Sequence, residues 1–94
     1  MSSPQALRLA AERGDLKRLQ RSLDESTDIN SRDDAGRTAL LLATLHGQTH
    51  AVELLLAHGA NPNTADSEGV TPLSAALAGN HSTIIRMLRH AGAH

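Results

Sequence analysis

Six histidines are the residues of this chain best suited to metal chemistry. His46 and His50 stand four residues apart, and on one continuous helix that spacing would let two imidazoles bind a zinc ion together. Gly47 lies between them, and a glycine there is typical of a helix end, so we do not expect the pair to share a helical face. The other histidines are scattered and the chain has no cysteine to join them. The sequence therefore predicts no metal site and no cofactor.

Hydrolytic chemistry is the next possibility, because serine, histidine and aspartate are all present. The chain contains neither a G-x-S-x-G nucleophile elbow nor a glycine-rich phosphate loop. Adjacent acids such as Asp33-Asp34 and Asp24-Glu25 are typical of turns and surfaces. We therefore expect no catalytic residues, no enzymatic activity and no small-molecule substrate.

The charge pattern argues against nucleic acid and membrane partners. The formal net charge is -1, and there is no Phe, Tyr or Trp to stack on bases. The basic residues near the N-terminus alternate with acids, which indicates a solvated mixed face: Arg13, Lys17, Arg18 and Arg21 among Glu12, Asp15, Asp24 and Glu25. The apolar stretches 39–43 and 51–57 are far too short to span a bilayer.

Two further features bear on the compartment. The lack of cysteine fits a reducing environment. The first eight residues lack the basic segment and apolar run of a signal peptide. We expect an intracellular, cytoplasmic protein.

The elements that position these residues are set by a repeat of 33 residues. Gly36, Thr38, Leu40 and Ala43 recur one period later as Gly69, Thr71, Leu73 and Ala76. Equal spacing of turn formers and apolar residues marks a solenoid built from one repeated unit. We expect a single domain over residues 1–94, with units of approximately 4–32, 33–65 and 66–94.

The central unit gives the clearest prediction of local structure. A turn over residues 33–37 precedes Thr38, whose hydroxyl suits the N-cap of a short helix. Gly47 ends that helix, and a second helix is predicted from Thr49 to about Ala57. In the third unit Thr71 is the predicted cap and Pro72 the first helical residue.

This pattern resembles the ankyrin repeat. The third unit reads Asp66-x-x-Gly69-x-Thr71-Pro72-Leu73-Ser74-x-Ala76, and Ile84-Ile85-x-x-Leu88 and Gly92-Ala93 follow it. The resemblance implies an all-α fold, an ankyrin-repeat solenoid of three helix-turn-helix units joined by hairpin-like loops. Arg8, Leu41 and Ser74 replace the histidine that the family usually has after its leucine.

Polar residues replace apolar ones at both ends of the array. Arg18 and Ser22 take places that later units fill with Ala51 and Leu55, and Arg89 takes the place of Leu56. Such substitutions indicate capping units, since a terminal unit has a neighbour on one side only. We expect a complete three-unit solenoid that is a monomer.

The resemblance implies a non-enzymatic protein–protein interaction module that binds a partner protein through its loop tips and concave face. Leu45 is expected to be an exposed apolar anchor, whereas Leu41 is either a second anchor or part of the core. Carried over position by position, the concave face consists of Glu12, Arg13, Asp34, Ala35, Arg37, Leu41, Leu45, His46, Ser67, Glu68, Val70, Ser74 and Ala78.

Two alternatives remain open from the sequence. One is a self-associating structural unit that stacks through its end faces, formed by Leu16, Arg18 and Ser22 at one end and Leu77, Arg86 and Arg89 at the other. The other is a pH-responsive binder, because histidines supply the only potential positive charges between residues 38 and 85.

Overall fold

The computed structural model describes residues 3–94, and these form three consecutive pairs of helices with no strand among them. Met1 and Ser2 of the predicted domain lie outside the described residues. The all-helical prediction is confirmed, and the second helix of the central unit has the predicted bounds. The helices are α1 Pro4–Arg13, α2 Leu16–Asp24, α3 Ala39–Leu45, α4 Thr49–Ala57, α5 Pro72–Ala78 and α6 Ser82–His90.

Threonine side chains start α3 and α5 as the sequence predicts. The Thr38 hydroxyl accepts a hydrogen bond from the backbone N–H of Leu41 at 3.1 Å. Thr71 accepts from the N–H of Ser74 at 3.1 Å, and the Ser74 hydroxyl accepts from the N–H of Thr71 at 2.9 Å. This reciprocal capping box satisfies amides that the helix leaves without partners.

The turn inside each helix pair passes through a left-handed residue. Gly14 and Gly47 have φ of 69° and 65°, and Asn80 takes the same place in the third unit with φ of 55°. Asparagine is among the few residues with a side chain that tolerate this conformation. The third pair therefore keeps the geometry of the other two without a glycine at that position.

The three pairs stack so that α1, α3 and α5 form one row and α2, α4 and α6 form a second. The core lies between the rows, where small and branched aliphatic side chains allow close packing of thin layers. Its largest fully buried aliphatic members, each less than 2% exposed, include Leu7, Leu19, Leu40, Leu55, Ile84 and Leu88.

Asparagines hold the outward loops in register. The Asn30 side-chain oxygen accepts the N–H of Asn61 at 2.9 Å, and the Asn63 side-chain oxygen accepts the N–H of His94 at 3.1 Å. The two bonds are one repeat apart, so successive units are joined in the same way. The exact unit boundaries at residues 33 and 66 stay a prediction.

Within residues 3–94, none of the helices has the length and apolar character needed to cross a membrane.

Candidate partner-binding surface

Two hairpin-like loops form the rim of the surface that the sequence singles out. In the first loop, Asp33 Oδ1 accepts the N–H groups of Ala35 at 3.0 Å and Arg37 at 2.8 Å. In the second, Asp66 Oδ1 accepts two N–H groups at 2.9 Å each, from Glu68 and Val70. Each aspartate therefore organises its own loop through backbone hydrogen bonds.

The tips of the two loops are bonded to each other. The carbonyl oxygen of Ala35 accepts the backbone N–H of Ser67 at 2.9 Å and the Ser67 hydroxyl at 2.8 Å. Gly36 lies directly against the backbone of Ser67, where a β-carbon would approach the nitrogen to 2.9 Å. The tips thus form a continuous rim, with exposed Asp34, Ser67 and Glu68 along it.

A groove of about 390 Å³ lies between α1 and the first loop. It brings together three of the predicted partner-binding residues, Glu12, Asp34 and Arg37. The other lining residues were not among the predicted partner-binding residues. Arg8 could have been suspected, because it replaces the histidine that the family usually has at this position. The full lining is Gln5, Arg8, Leu9, Glu12, Arg32, Asp33, Asp34, Arg37 and Leu42.

Several charged side chains of this groove form hydrogen bonds or contacts within the protein. Arg37 Nε donates to Asp33 Oδ2 at 2.9 Å, and the guanidinium of Arg8 donates to the Ser31 hydroxyl at 2.9 Å. His46 Nε2 lies 3.4 Å from Glu12 Oε1, so the first and second units meet through this pair. Arginines and acids both line the groove.

Asp33 is the acid whose ionisation is changed by this setting. Burial raises the pKa of its carboxyl, but several interactions together hold the pKa below its ordinary value. These interactions are the N–H and guanidinium hydrogen bonds from Arg37, the positive charge of Arg37, and the N–H of Ala35. Asp33 therefore remains a carboxylate under conditions in which an ordinary aspartate begins to take up a proton.

This lowered pKa predicts an acid-dependent part of the stability. A depressed pKa in the folded state contributes stability above the unfolded-state pKa, and that stability is lost as pH falls through the folded-state pKa. Replacing Arg37 with Val, the residue at this place in the third unit, should therefore cost stability at neutral pH and less below about pH 4. The cost should stay below about 1 kcal/mol because the Arg37 side chain is 41% exposed to screening water.

Urea unfolding of Arg37→Val and wild type at neutral and acid pH measures this difference. Arg32→Val is the matched control, since Arg32 is an exposed arginine in the same groove. If the difference in free energy of unfolding between Arg37→Val and wild type were the same at low pH as at neutral pH, the role given to the Asp33–Arg37 pair would be contradicted.

The burial of Leu41 corrects one predicted partner contact. Its side chain is 0% exposed, so its prediction as a partner contact is wrong and its alternative as a core residue holds. Arg8 and Ser74 stand at the same repeat position in the outer units and retain access to solvent. Leu41 is buried because the central unit has a neighbour on each side.

Leu45 is confirmed as an exposed apolar residue, with 44% of its surface accessible. It ends α3 at the repeat position that Glu12 holds in α1, and Glu12 lines the groove. The next residue, His46, contacts Glu12. Leu45 is therefore linked to the groove through its neighbour in sequence, His46, which contacts Glu12.

The remaining predicted contacts are divided among several places. Ser67, Glu68 and Ala78 are exposed, and Ala35 and Val70 are half-buried. Ser74 is exposed, but its hydroxyl bonds to Thr71. Arg13 lines a different groove, of about 510 Å³, on the outer side of the first unit. Their contact with a partner stays a prediction.

The comparisons with known proteins agree with this architecture. The family described as "Ankyrin repeats (3 copies)" matches residues 7–94. Human ankyrin repeat domain-containing protein 63 is 39% identical over 70% of the chain, and the cattle mitochondrial disaggregase is 34% identical over 94% of it. The Escherichia coli (strain K12) ankyrin repeat protein YahD is 32% identical over 85% of the chain.

The chain matches only part of each relative, namely 17%, 13% and 40% of their respective lengths. The family match, in contrast, covers nearly the whole chain and has the same number of repeats as the helix pairs. Ankyrin repeats generally mediate protein–protein interactions and are typically non-enzymatic. The chain belongs to the ankyrin-repeat family.

Proposed function

We propose that this protein binds a partner protein through its concave face, with Leu45 as the apolar anchor. The single observation that carries the proposal is the exposure of Leu45, whose neighbour in sequence, His46, contacts Glu12 of the groove. A large apolar side chain that is desolvated on binding contributes most of the affinity at such a surface. The surrounding charges set approach and orientation.

The loop rim supports this proposal in a second way. Binding costs less free energy when the contacting groups are already ordered. Here the Ala35–Ser67 bonds join the two tips, and Asp33 and Asp66 fix the loops that carry them. Contacts from Asp34 and Glu68 therefore need little further ordering of the backbone.

The proposal is tested by affinity capture from a lysate of the source cells with quantitative mass spectrometry. Wild type and Leu45→Asp serve as paired baits, because exposed Leu45 can be changed without opening the core. A protein captured by wild type and lost by Leu45→Asp is the expected result. Equal recovery of every captured protein by both baits would contradict the proposal.

The alternative function, self-association through the end faces, has one observation in its favour. Leu16 and Leu77 are 42% and 47% exposed at the positions assigned to that contact. Ser22, however, is only 4% exposed and offers little contact area. Sedimentation velocity over a wide concentration range separates the two functions, and we expect the sedimentation coefficient of a monomer at every concentration.

The cytoplasmic location of the protein also stays a proposal.

A further inference from the structure

The groove between α1 and the first loop differs in charge from the corresponding place one repeat later. Its three arginines stand at repeat positions that the following residues of the repeat fill with aliphatic side chains. Both units that form the groove lie within residues 3–94, so its walls do not depend on what precedes or follows the chain. The corresponding pairs are Arg8 and Leu41, Arg32 and Ala65, and Arg37 and Val70.

Two of the three acids in the groove already face another group of the protein. Asp33 Oδ2 accepts from Arg37 Nε at 2.9 Å, and Asp33 Oδ1 accepts two backbone N–H groups of the loop. Glu12 Oε1 lies 3.4 Å from Nε2 of His46. The third acid, Asp34, is exposed and forms no ion pair with residues 3–94. The acids of the groove therefore leave two of its arginines without a carboxylate partner.

These two arginines are Arg8 and Arg32. Arg8 is half-buried, and its Nη1 donates to the neutral hydroxyl of Ser31 at 2.9 Å. Arg32 follows Ser31 in the chain, is exposed, and forms no hydrogen bond or ion pair through its side chain with residues 3–94. Both guanidiniums therefore keep N–H donors for a ligand. The Ser31 bond also orders Arg8 before a ligand arrives, which lowers the cost of binding.

A carboxylate is the ligand that fits this arrangement. The planar guanidinium presents pairs of N–H donors that match the two oxygens of a carboxylate, and such charge-assisted hydrogen bonds are stronger than neutral ones. A polyanion such as nucleic acid fits less well, because its further phosphates would meet Glu12 and Asp34, which also line the groove. A single acidic side chain needs only the two arginines.

We propose that Arg8 and Arg32 bind a glutamate or aspartate side chain of the partner segment that lies on the concave face. The inference rests on the proposed function, because the same partner would contact Leu45, and it adds the chemistry of a second contact. Leu41 and Ala65, one repeat later, have no side-chain donor. The acid contact is therefore confined to the junction between the first and second units.

The test titrates a short alanine peptide with blocked ends and a single central glutamate into isotope-labelled protein at low ionic strength. A peptide with glutamine at the same place is the control, since the two peptides have the same shape and differ in charge. Nuclear magnetic resonance follows the backbone amides of residues 31–34 and the Nε–H groups of the arginines. We expect saturable changes at Arg8 and Arg32 with the glutamate peptide only, and weaker binding with added salt.

Three variants locate the binding. Arg8→Leu and Arg32→Ala introduce the residues found one repeat later, and each should raise the Kd of the glutamate peptide about threefold or more, as the loss of one partly exposed ion pair implies. Arg21→Ala makes the same change at an exposed arginine of α2 outside the groove, and the Kd should stay unchanged. Circular dichroism of each variant checks that the helices are retained.

The carboxylate site would be refuted by equal changes with both peptides, or by the absence of a saturable change with the glutamate peptide. It would also be refuted by an unchanged Kd in both Arg8→Leu and Arg32→Ala, or by equal weakening in Arg32→Ala and Arg21→Ala. The titration uses no captured partner, so its failure leaves the concave-face function standing. Equal recovery of captured proteins by the wild-type and Leu45→Asp baits would instead refute that function and leave the carboxylate site standing.

Discussion

Leu55→Ala is expected to lower the free energy of unfolding by roughly 2–5 kcal/mol. Leu55 is 0% exposed and belongs to the single core cluster that runs through all three units. The smaller side chain leaves a cavity, which a tightly packed interior refills only in part. Because α4 contacts both α2 and α6, the loss should affect the whole array and not only the central unit.

Equilibrium unfolding in urea, followed by far-ultraviolet circular dichroism, measures this loss. Leu45→Ala is the matched control, because it makes the same change at a residue that is 44% exposed. Leu45→Ala should lower the free energy of unfolding far less than Leu55→Ala does. A loss below about 1 kcal/mol for Leu55→Ala would show that the central core does not depend on this side chain.

Leu45→Asp is expected to weaken binding of the captured partner by about 2 kcal/mol or more, with the fold retained. The substitution removes the apolar anchor and adds a charge that must be desolvated in the complex. Since Leu45 is already accessible to water, the circular dichroism spectrum of the variant should match that of wild type. Isothermal titration with the purified partner measures the change in affinity.

Positions governed by local chemistry were predictable from the sequence. Thr38 and Thr71 cap their helices, and Pro72 is the first residue of α5, as predicted. The second central helix runs from Thr49 to Ala57 as expected. These features depend on a few neighbouring residues and on a repeat period that the chain displays more than once.

Positions governed by the neighbouring unit were harder to predict. Leu41 is buried because the units on both sides of it cover the same row of helices. The periodicity of α3 alone is compatible with either a buried or an exposed Leu41. Leu77 is exposed although it is larger than its buried equivalents Ala11 and Thr44. Burial in a solenoid depends on how many units stand beside a residue, which the residue's own helix does not encode.

The groove was also beyond direct prediction, because it needs two segments that are distant in sequence. Arg8 in α1 and Arg32 before the first loop line it together with Arg37. The arginine at the usual family histidine position marked Arg8 as unusual. Nothing in the spacing of the three arginines indicated that they would line one groove.

The most direct test of partner binding at the concave face compares three leucines that are almost equally exposed. Leu45, Leu16 and Leu77 are 44%, 42% and 47% accessible, and each is changed to Asp. Leu16 begins α2 and Leu77 lies in α5, so the three variants make one chemical change at three different helices. Isothermal titration of each variant against the captured partner is the measurement. We expect Leu45→Asp alone to lose affinity. Full affinity in Leu45→Asp together with a loss in Leu16→Asp or Leu77→Asp would contradict binding at the concave face.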